Sequence, residues 1–298
     1  MENDIYDFHL NSQESLKKII NNKLSSRSVI FEGKKGIGKQ IFLSELSGNI
    51  LNNTYKVRKN IHPDLYQIKP ENNKILVDDI KDLDDWIYKP PYESSKKIIL
   101  INNANAMNNT VQNKILKLLE EPPDYILFFL VLENSQMLLP TVRSRSIVFS
   151  LNSLPNRIIN NYLSDDFNEE DKQIILSILD GSLRNIDFYS KHNFDKIFEL
   201  STLIIRKELD KIDDVNKIID NLSSEFSINI VIEEMIIFLK NILSKNLIKS
   251  NSDNLNLLDG IYFIDSLCKI FDDSFDTNFN VKLAIDELVL NYFVTNRS

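Results

Sequence analysis

A glycine-rich segment near the amino terminus constrains the fold more than any other part of this sequence. Residues 33–40 read Gly-Lys-Lys-Gly-Ile-Gly-Lys-Gln, and they follow the apolar run Val29–Phe31 and precede a pattern typical of a helix. Backbone N–H groups in such a loop turn inward on phosphate oxygens, and its lysine reaches the outer phosphates. The sequence therefore predicts a phosphate-binding loop formed by Gly33, Gly36, Gly38, Lys39 and Gln40.

Amides occupy the positions where a nucleotide-hydrolysing protein with this loop needs metal ligands and a base. A Ser or Thr at position 40 would offer magnesium a hydroxyl, whereas Gln40 offers an amide. The buried strand expected at residues 97–101 ends in Asn102 and Asn103 rather than in carboxylates. Neutral amides cannot supply the charge that holds magnesium or takes up a proton. We therefore predict no catalytic residue in cis and no ATP hydrolysis, while binding of ATP or ADP stays open.

The composition of the chain excludes several classes of protein. A net charge of −8 over 298 residues argues against a protein that grips nucleic acid with its whole surface. One cysteine, Cys268, and three histidines are too few for a zinc site built from cysteine and histidine, so no metal site is predicted. The longest apolar runs, such as Ile126–Leu132, fall far short of the roughly twenty residues that span a bilayer. Because no basic and apolar leader begins the sequence, we expect a cytoplasmic protein without membrane contact.

Strand patterns alternate with helix patterns in the first half of the chain, which predicts an α/β fold with a mostly parallel sheet. From about residue 154 the strand patterns stop and helical periodicity continues to the end. One apolar face in this second half, at Ile232, Met235, Ile236 and Leu239, is a candidate oligomerisation surface, although a simple domain core explains each of these residues at least as well. The predicted strands are Arg27–Glu32, Asp64–Ile68, Ile98–Ile101 and Ile126–Leu132, and the predicted helices include 12–20, 39–51, 75–88, 110–119, 158–163, 171–179 and 183–189.

The densest set of motifs lies between residues 105 and 146. A helix pattern from Gln112 ends in Leu-Leu-Glu-Glu-Pro-Pro at residues 118–123, and Ser144-Arg145-Ser146 follows the next predicted strand. With the glycine-rich loop upstream, this arrangement resembles the clamp-loader branch of the AAA+ ATPases, and within it the delta-prime group of bacterial DNA polymerase III. The similarity covers roughly residues 8–190. A helix closed by two prolines would be unremarkable on its own.

This resemblance implies three domains. They are a P-loop AAA+ domain over residues 1–152, a small helical lid over 153–191 and a helical collar, used for oligomerisation, over 192–298. The cysteines that hold zinc in many relatives are absent from residues 52–60, and the polar sensor at the end of the strand 126–132 is replaced by Leu132.

The resemblance also implies a role for one arginine in particular. In the family, the arginine of the Ser-Arg-Cys motif projects into the ATP site of the neighbouring subunit, where its guanidinium neutralises charge on the phosphoryl group in transit. The matching residue is Arg145, and the simpler interpretation is a surface salt bridge from Arg143 or Arg145. Arg184 matches a second sensor that approaches nucleotide, although a solvated arginine at a helix start fits equally well.

The expected function is that of a stationary, non-hydrolysing subunit within the DNA polymerase III holoenzyme. Its implied partners are the gamma/tau ATPase subunits, the delta subunit, the sliding clamp and, through the complex, primed DNA. No cofactor is required in this interpretation. An active ATPase subunit that obtains a carboxylate from elsewhere is the principal alternative. A small-molecule P-loop kinase is disfavoured because it gives the helical tail and Arg145 no purpose.

Overall fold

A computed structural model describes residues 2–12, 27–71, 74–207, 211–249, 254–275 and 279–294. The chain divides into two compact units: Met1–Tyr162 with Leu179–Arg184, and Leu163–Ile178 with Asn185–Ser298. The helix predicted for residues 12–20 lies outside the described residues after Ser12. In the described part, no helix is long and apolar enough to cross a membrane.

The first unit is built on one parallel sheet of five strands. Its order is β2-β3-β4-β1-β5, so the chain begins near the middle and crosses over repeatedly through helices. The central strands are buried along their whole length, which explains their continuous apolar sequence. The strands are β1 Ser28–Glu32, β2 Leu65–Ile68, β3 Lys97–Ile101, β4 Ile126–Leu132 and β5 Ile147–Ser150.

Helices connect these strands, and the parallel α/β fold predicted from the sequence is confirmed. The helix after the third strand begins where Asn108 Oδ1 accepts a hydrogen bond from Val111 N at 2.9 Å, and Pro122 and Pro123 follow its end. The helices are α1 Glu2–Ser12, α2 Lys39–Ile50, α3 Thr54–Arg58, α4 Leu83–Ile87, α5 Asn109–Glu120, α6 Pro140–Arg143 and α7 Asn156–Asn160.

Two details of the first unit correct the sequence prediction. The segment 75–88 is not one helix, because Ile75 forms a parallel bridge with Met107 and the chain then makes a 3₁₀ turn, Val77–Ile80, before α4. Strand β5 was not predicted, since it has only four residues and forms by pairing with β1, a partner more than a hundred residues away in the sequence.

The second unit is entirely helical in its described residues. The predicted helix 183–189 is wrong: Asn185 takes a left-handed conformation (φ 50°), which restricts regular structure there to the 3₁₀ turn Ile186–Phe188. The face of Ile232, Met235, Ile236 and Leu239 is buried inside this unit and is therefore core rather than an oligomerisation surface. The helices are α8 Glu169–Leu179, α9 Lys191–Arg206, α10 Ile212–Glu225, α11 Ile228–Lys249, α12 Asn254–Asp273 and α13 Val281–Val294.

Candidate functional site

The glycine-rich loop joins the carboxyl end of β1 to the start of α2, as predicted. Two of its glycines are required by both backbone and packing. Gly36 has φ 83°, and a Cβ there would lie 2.1 Å from Ser182 Oγ. Gly38 has φ 81°, and a Cβ there would lie 2.6 Å from the side chain of Ile5. Any other residue at either position would be strained and would collide with a neighbouring segment.

Hydrogen bonds from three parts of the first unit hold the loop carbonyls. The Lys39 ammonium folds back onto Gly33 O and Lys34 O, the latter at 2.7 Å. These bonds occupy the loop carbonyls, and Gly33 N in turn donates to Glu133 O at 3.2 Å. The other bonds are Ser182 Oγ to Lys35 O at 2.8 Å, Leu183 N to Gly36 O at 2.8 Å, His9 Nε2 to Ile37 O at 2.7 Å and Phe42 N to Gly38 O at 2.9 Å.

Burial changes the ionisation of two groups at the loop. Desolvation lowers the pKa of the Lys39 ammonium, while the charge of Glu133 opposes that shift. Desolvation likewise lowers the pKa of His9, and its hydrogen bond to Ile37 O opposes the effect. A neutral His9 is therefore favoured beside the loop, where it acts as a hydrogen-bond donor rather than as a charge.

An open cleft of about 940 Å³ lies against the loop at the carboxyl edge of the sheet. It brings together the predicted Gly36, Gly38, Lys39 and Gln40 with Asn102 and Asn103. Leu132 also lines the cleft, and Leu183 lines it where Arg184 was the expected contact. The backbone N of Arg184 donates to Ser182 Oγ at 2.9 Å, so this segment fixes the loop through its main chain and Ser182.

Three charged residues of the cleft were missed by the sequence argument. Lys35, Lys69 and Glu133 line it together with Lys39. Glu133 directly follows the end of β4, and Lys69 directly follows the end of β2. Because parallel strands present their carboxyl ends at one edge of the sheet, the residue after each strand is the signal that could have found Lys69 and Glu133.

The two asparagines differ in their surroundings. Asn102 N donates to Ile68 O at 2.9 Å, which keeps the residue beside the end of β2. Its side chain is buried, and within the described part of the chain Nδ2 has no hydrogen-bond acceptor. Asn103 takes a left-handed backbone conformation (φ 52°, ψ 51°), which asparagine tolerates better than most residues.

Arg145 lies at the opposite side of the same sheet, where the amino ends of the strands meet. It lines a recess of about 590 Å³ together with Ser28, the first residue of β1, and Glu120, the last residue of α5. Arg145 Nη2 lies 3.2 Å from Glu120 Oε1, and Nη1 donates to Thr141 O at 3.2 Å. Because β1 leads away from this recess to the glycine-rich loop, Arg145 and Lys39 occupy opposite edges of one sheet.

In the residues that the structure describes, no three side chains of histidine, cysteine, aspartate or glutamate are grouped so that they could hold an ion. Residues 52–60 contain the short helix α3.

The first half of the chain is similar to subunits of DNA polymerase III. A family model described as DNA polymerase III, delta subunit, matches residues 9–155. The DNA polymerase III subunit gamma of Buchnera aphidicola is 27% identical over 205 residues, which cover 58% of this chain and 56% of that protein. Subunit delta' of Bacillus subtilis is 30% identical over 167 residues, which cover 51% of each chain. The chain thus spans about half the length of the curated relatives it matches.

A solved structure agrees on the fold. The DNA polymerase III gamma subunit-related protein of Thermotoga maritima has a TM-score of 0.53 and 18% identity, with 94% of this chain and 98% of that chain covered. At this identity the likeness concerns the fold alone. With its glycine-rich loop, its Leu-Leu-Glu-Glu-Pro-Pro helix end and its Ser-Arg-Ser turn in their expected places, this chain resembles the clamp-loader family of DNA polymerase III.

Proposed function

We propose that the chain is a non-hydrolysing subunit of a DNA polymerase III clamp loader, which supplies Arg145 to the ATP site of a neighbouring subunit. The observation that carries this proposal is the separation of Arg145 from the chain's own glycine-rich loop. Ser28 and Glu32 are four residues apart along β1, which corresponds to about 13 Å of extended strand. Arg145 therefore serves no phosphate in the cleft of its own chain.

The chemistry of an arginine at an exposed edge fits this role. A guanidinium offers planar, paired N–H donors that match two phosphoryl oxygens, and it stays charged at every physiological pH. In the free subunit the contacts of Arg145 include Glu120 and Thr141, which are exposed and can be exchanged for a phosphate. Exposed pairs of this kind contribute less than about 1 kcal/mol, so exchanging one costs little.

The absence of hydrolysis in the proposal rests on the cleft. Gln40, Asn102 and Asn103 line it with amides at the positions where a metal and a base are needed. The chain would act as a fixed member of the complex, beside gamma/tau ATPase subunits and the delta subunit, while the complex opens the sliding clamp and places it on primed DNA.

One observation favours a second candidate, an active ATPase. Glu133 places a carboxylate in the same cleft as Lys39, so a carboxylate is available from outside the Asn102–Asn103 pair. Measuring phosphate release by the purified chain with magnesium and ATP distinguishes the two candidate functions, because only an active ATPase releases phosphate. Turnover that vanishes in Glu133→Gln would establish the second and refute the first.

The principal experiment uses a complex reconstituted with candidate ATPase subunits. Arg145→Ala should assemble normally, because the side chain lies at the surface, and should lower turnover at one site on the order of a thousandfold. Total turnover should fall less, since other sites keep their own arginines. Arg145→Lys should restore little, because an ammonium cannot make the paired contacts.

Arg143→Ala is the matched control, since Arg143 lies on the same turn and its side chain donates to Gln136 Oε1. It should leave turnover near that of the unchanged complex. Normal turnover and clamp loading with Arg145→Ala would reduce Arg145 to a surface charge.

A further inference from the structure

The cleft beside the glycine-rich loop does not suit the divalent cation that its fold class normally uses. Magnesium prefers carboxylate and water oxygens in octahedral geometry, together with substrate phosphates. Gln40, Asn102 and Asn103 offer amides, and the one acidic residue lining the described cleft is Glu133. The donor set therefore lacks the charge that would hold the ion.

The cleft instead carries positive charge of its own. Lys35, Lys39 and Lys69 face a single acid, Glu133, so the charged residues that line the cleft sum to +2. In a phosphate site with a metal, the ion supplies much of the positive charge. Here lysine side chains supply it.

Asn102 gives the second, independent observation. Its side chain is 4% exposed, it lines the cleft, and its Nδ2 has no acceptor within the described residues. Leaving a buried donor unpaired costs about 1 to 3 kcal/mol, so a bound group that offers Nδ2 an acceptor would stabilise this side chain. An aspartate at this position would present only oxygens to the same space.

The glycine-rich loop is also prepared for an anion before one arrives. Its carbonyls are held by donors from α1, from Lys39 and from residues 182–183, and Gly33 N donates to Glu133 O, so the loop backbone after Gly33 is fixed before an anion binds. A preorganised concave set of N–H groups binds anions without the ordering cost that a mobile loop would pay.

We propose that this cleft binds a polyphosphate anion, such as the di- or triphosphate group of a nucleotide, directly and without a divalent cation. The loop N–H groups and Lys39 hold the phosphates at the start of α2. Asn102 Nδ2 donates to a phosphate oxygen on the side where a metal ion would otherwise lie, and Lys35 and Lys69 balance the remaining charge. This inference is independent of Arg145, which lies at the opposite edge of the sheet.

Titration calorimetry on the whole chain tests the proposal, with pyrophosphate, ADP and ATP as probes. Each probe is measured once in excess EDTA and once in excess magnesium. We expect saturable binding in EDTA, and equal or weaker binding in magnesium because the cation competes for the phosphate oxygens. Binding that requires magnesium, or no binding of any probe in EDTA, would overturn the proposal.

Two substitutions in the cleft sharpen the result. Asn102→Asp replaces the donor by a carboxylate of the same size, so affinity in EDTA should fall at least tenfold and magnesium should now improve binding. Lys69→Ala should weaken binding in EDTA, whereas Lys117→Ala on the exposed side of α5 removes an equal charge outside the cleft and should not. Equal affinities for Asn102→Asp and the unchanged chain would contradict the assigned role of Nδ2. If Asn102→Asp fails to fold, Lys69→Ala still tests whether the anion binds in this cleft.

Discussion

Ser146 Oγ lies 2.7 Å from Ser28 Oγ, so a pair of hydroxyls joins the turn that carries Arg145 to the first residue of β1. Ser146 Oγ also donates to Val142 O at 2.9 Å, which closes the turn on itself. The backbone of Arg145 is therefore held directly against the sheet, while its side chain lies at the surface.

Loss of this hydroxyl pair should affect ATP turnover in the neighbouring subunit more than it affects the stability of this chain. We expect Ser146→Ala to cost the first unit about 2 kcal/mol of unfolding free energy, because it removes two hydrogen bonds that contribute about 1 kcal/mol each, and to lower ATP turnover of the reconstituted complex. Ser144→Ala on the same turn removes only a hydroxyl that donates to Thr141 O, and it should leave turnover unchanged. Equal turnover for the two variants would show that Ser146 does not position Arg145.

Restoring acids at the end of β3 should not create an ATPase. In Asn102→Asp with Asn103→Glu, Gln40 and Leu132 still lack the metal hydroxyl and the polar sensor. The left-handed backbone of residue 103 adds a cost of about 1 kcal/mol for glutamate. Phosphate release by the doubly substituted chain should stay at background in the presence of magnesium, and turnover close to that of a working loader subunit would refute the prediction.

Stability of the second unit should fall in alkaline solution because of Tyr292. Burial raises the pKa of its phenol from 10.0 to about 12, and the charge of Asp259 adds to the effect. Above pH 10 the unfolded chain loses this proton while the folded chain keeps it. The stabilisation is therefore complete below pH 10 and is lost as the pH rises towards 12, by roughly 3 kcal/mol in all.

Urea unfolding at about pH 8 and about pH 11 measures this loss. In Tyr292→Phe the free energy of unfolding should fall less between these two pH values. At neutral pH this variant loses the hydrogen bond to Ile204 O, which measures 3.2 Å. Tyr262→Phe is the control, because that side chain is 67% exposed. An identical pH dependence in Tyr292→Phe and the unchanged chain would exclude Tyr292 as the source.

An exposed apolar surface lies on α13, and we predict that it mediates assembly in place of the buried face on α11. Leu283, Leu290 and Val294 follow one another at helical spacing on α13, and each is at least half exposed. We expect Leu290→Glu to leave the chain folded and to weaken its association with ATPase subunits, because a charge on a buried interface is costly. Co-elution on size exclusion measures this, with the exposed substitution Lys240→Glu as control, and unchanged co-elution of Leu290→Glu would remove this face from the interface.

Local patterns predicted the parts of the fold that depend on neighbouring residues. The loop from Gly33 to Lys39, the helix ending at Glu120 and the strand Ile126–Leu132 each carry their periodicity and end signals within a few residues. The helix expected over residues 75–88 failed because Ile75 pairs with Met107, a partner that no local pattern reveals.

Residues of the candidate site that the sequence did not reveal also depend on contacts between distant parts of the chain. Ser182 reaches Lys35 O across 147 residues, and His9 reaches Ile37 O from a helix that was not predicted. The candidate metal and base positions could be read as amides from the sequence. The lysines that surround them, and the unpaired Nδ2 of Asn102, required the end of each parallel strand to be placed beside its neighbour.

Arg145 lies at the amino ends of the strands and Lys39 at their carboxyl ends, so the two edges of the sheet that they mark are chemically different. Copies or relatives that join through these edges must associate head to tail, and each contact pairs the arginine of one chain with the loop of the next. A chain that keeps the arginine edge but has amides at its loop edge can take part in only one productive contact. The proposed function therefore places this chain at an end of such a row, where no arginine of a neighbouring chain meets its loop.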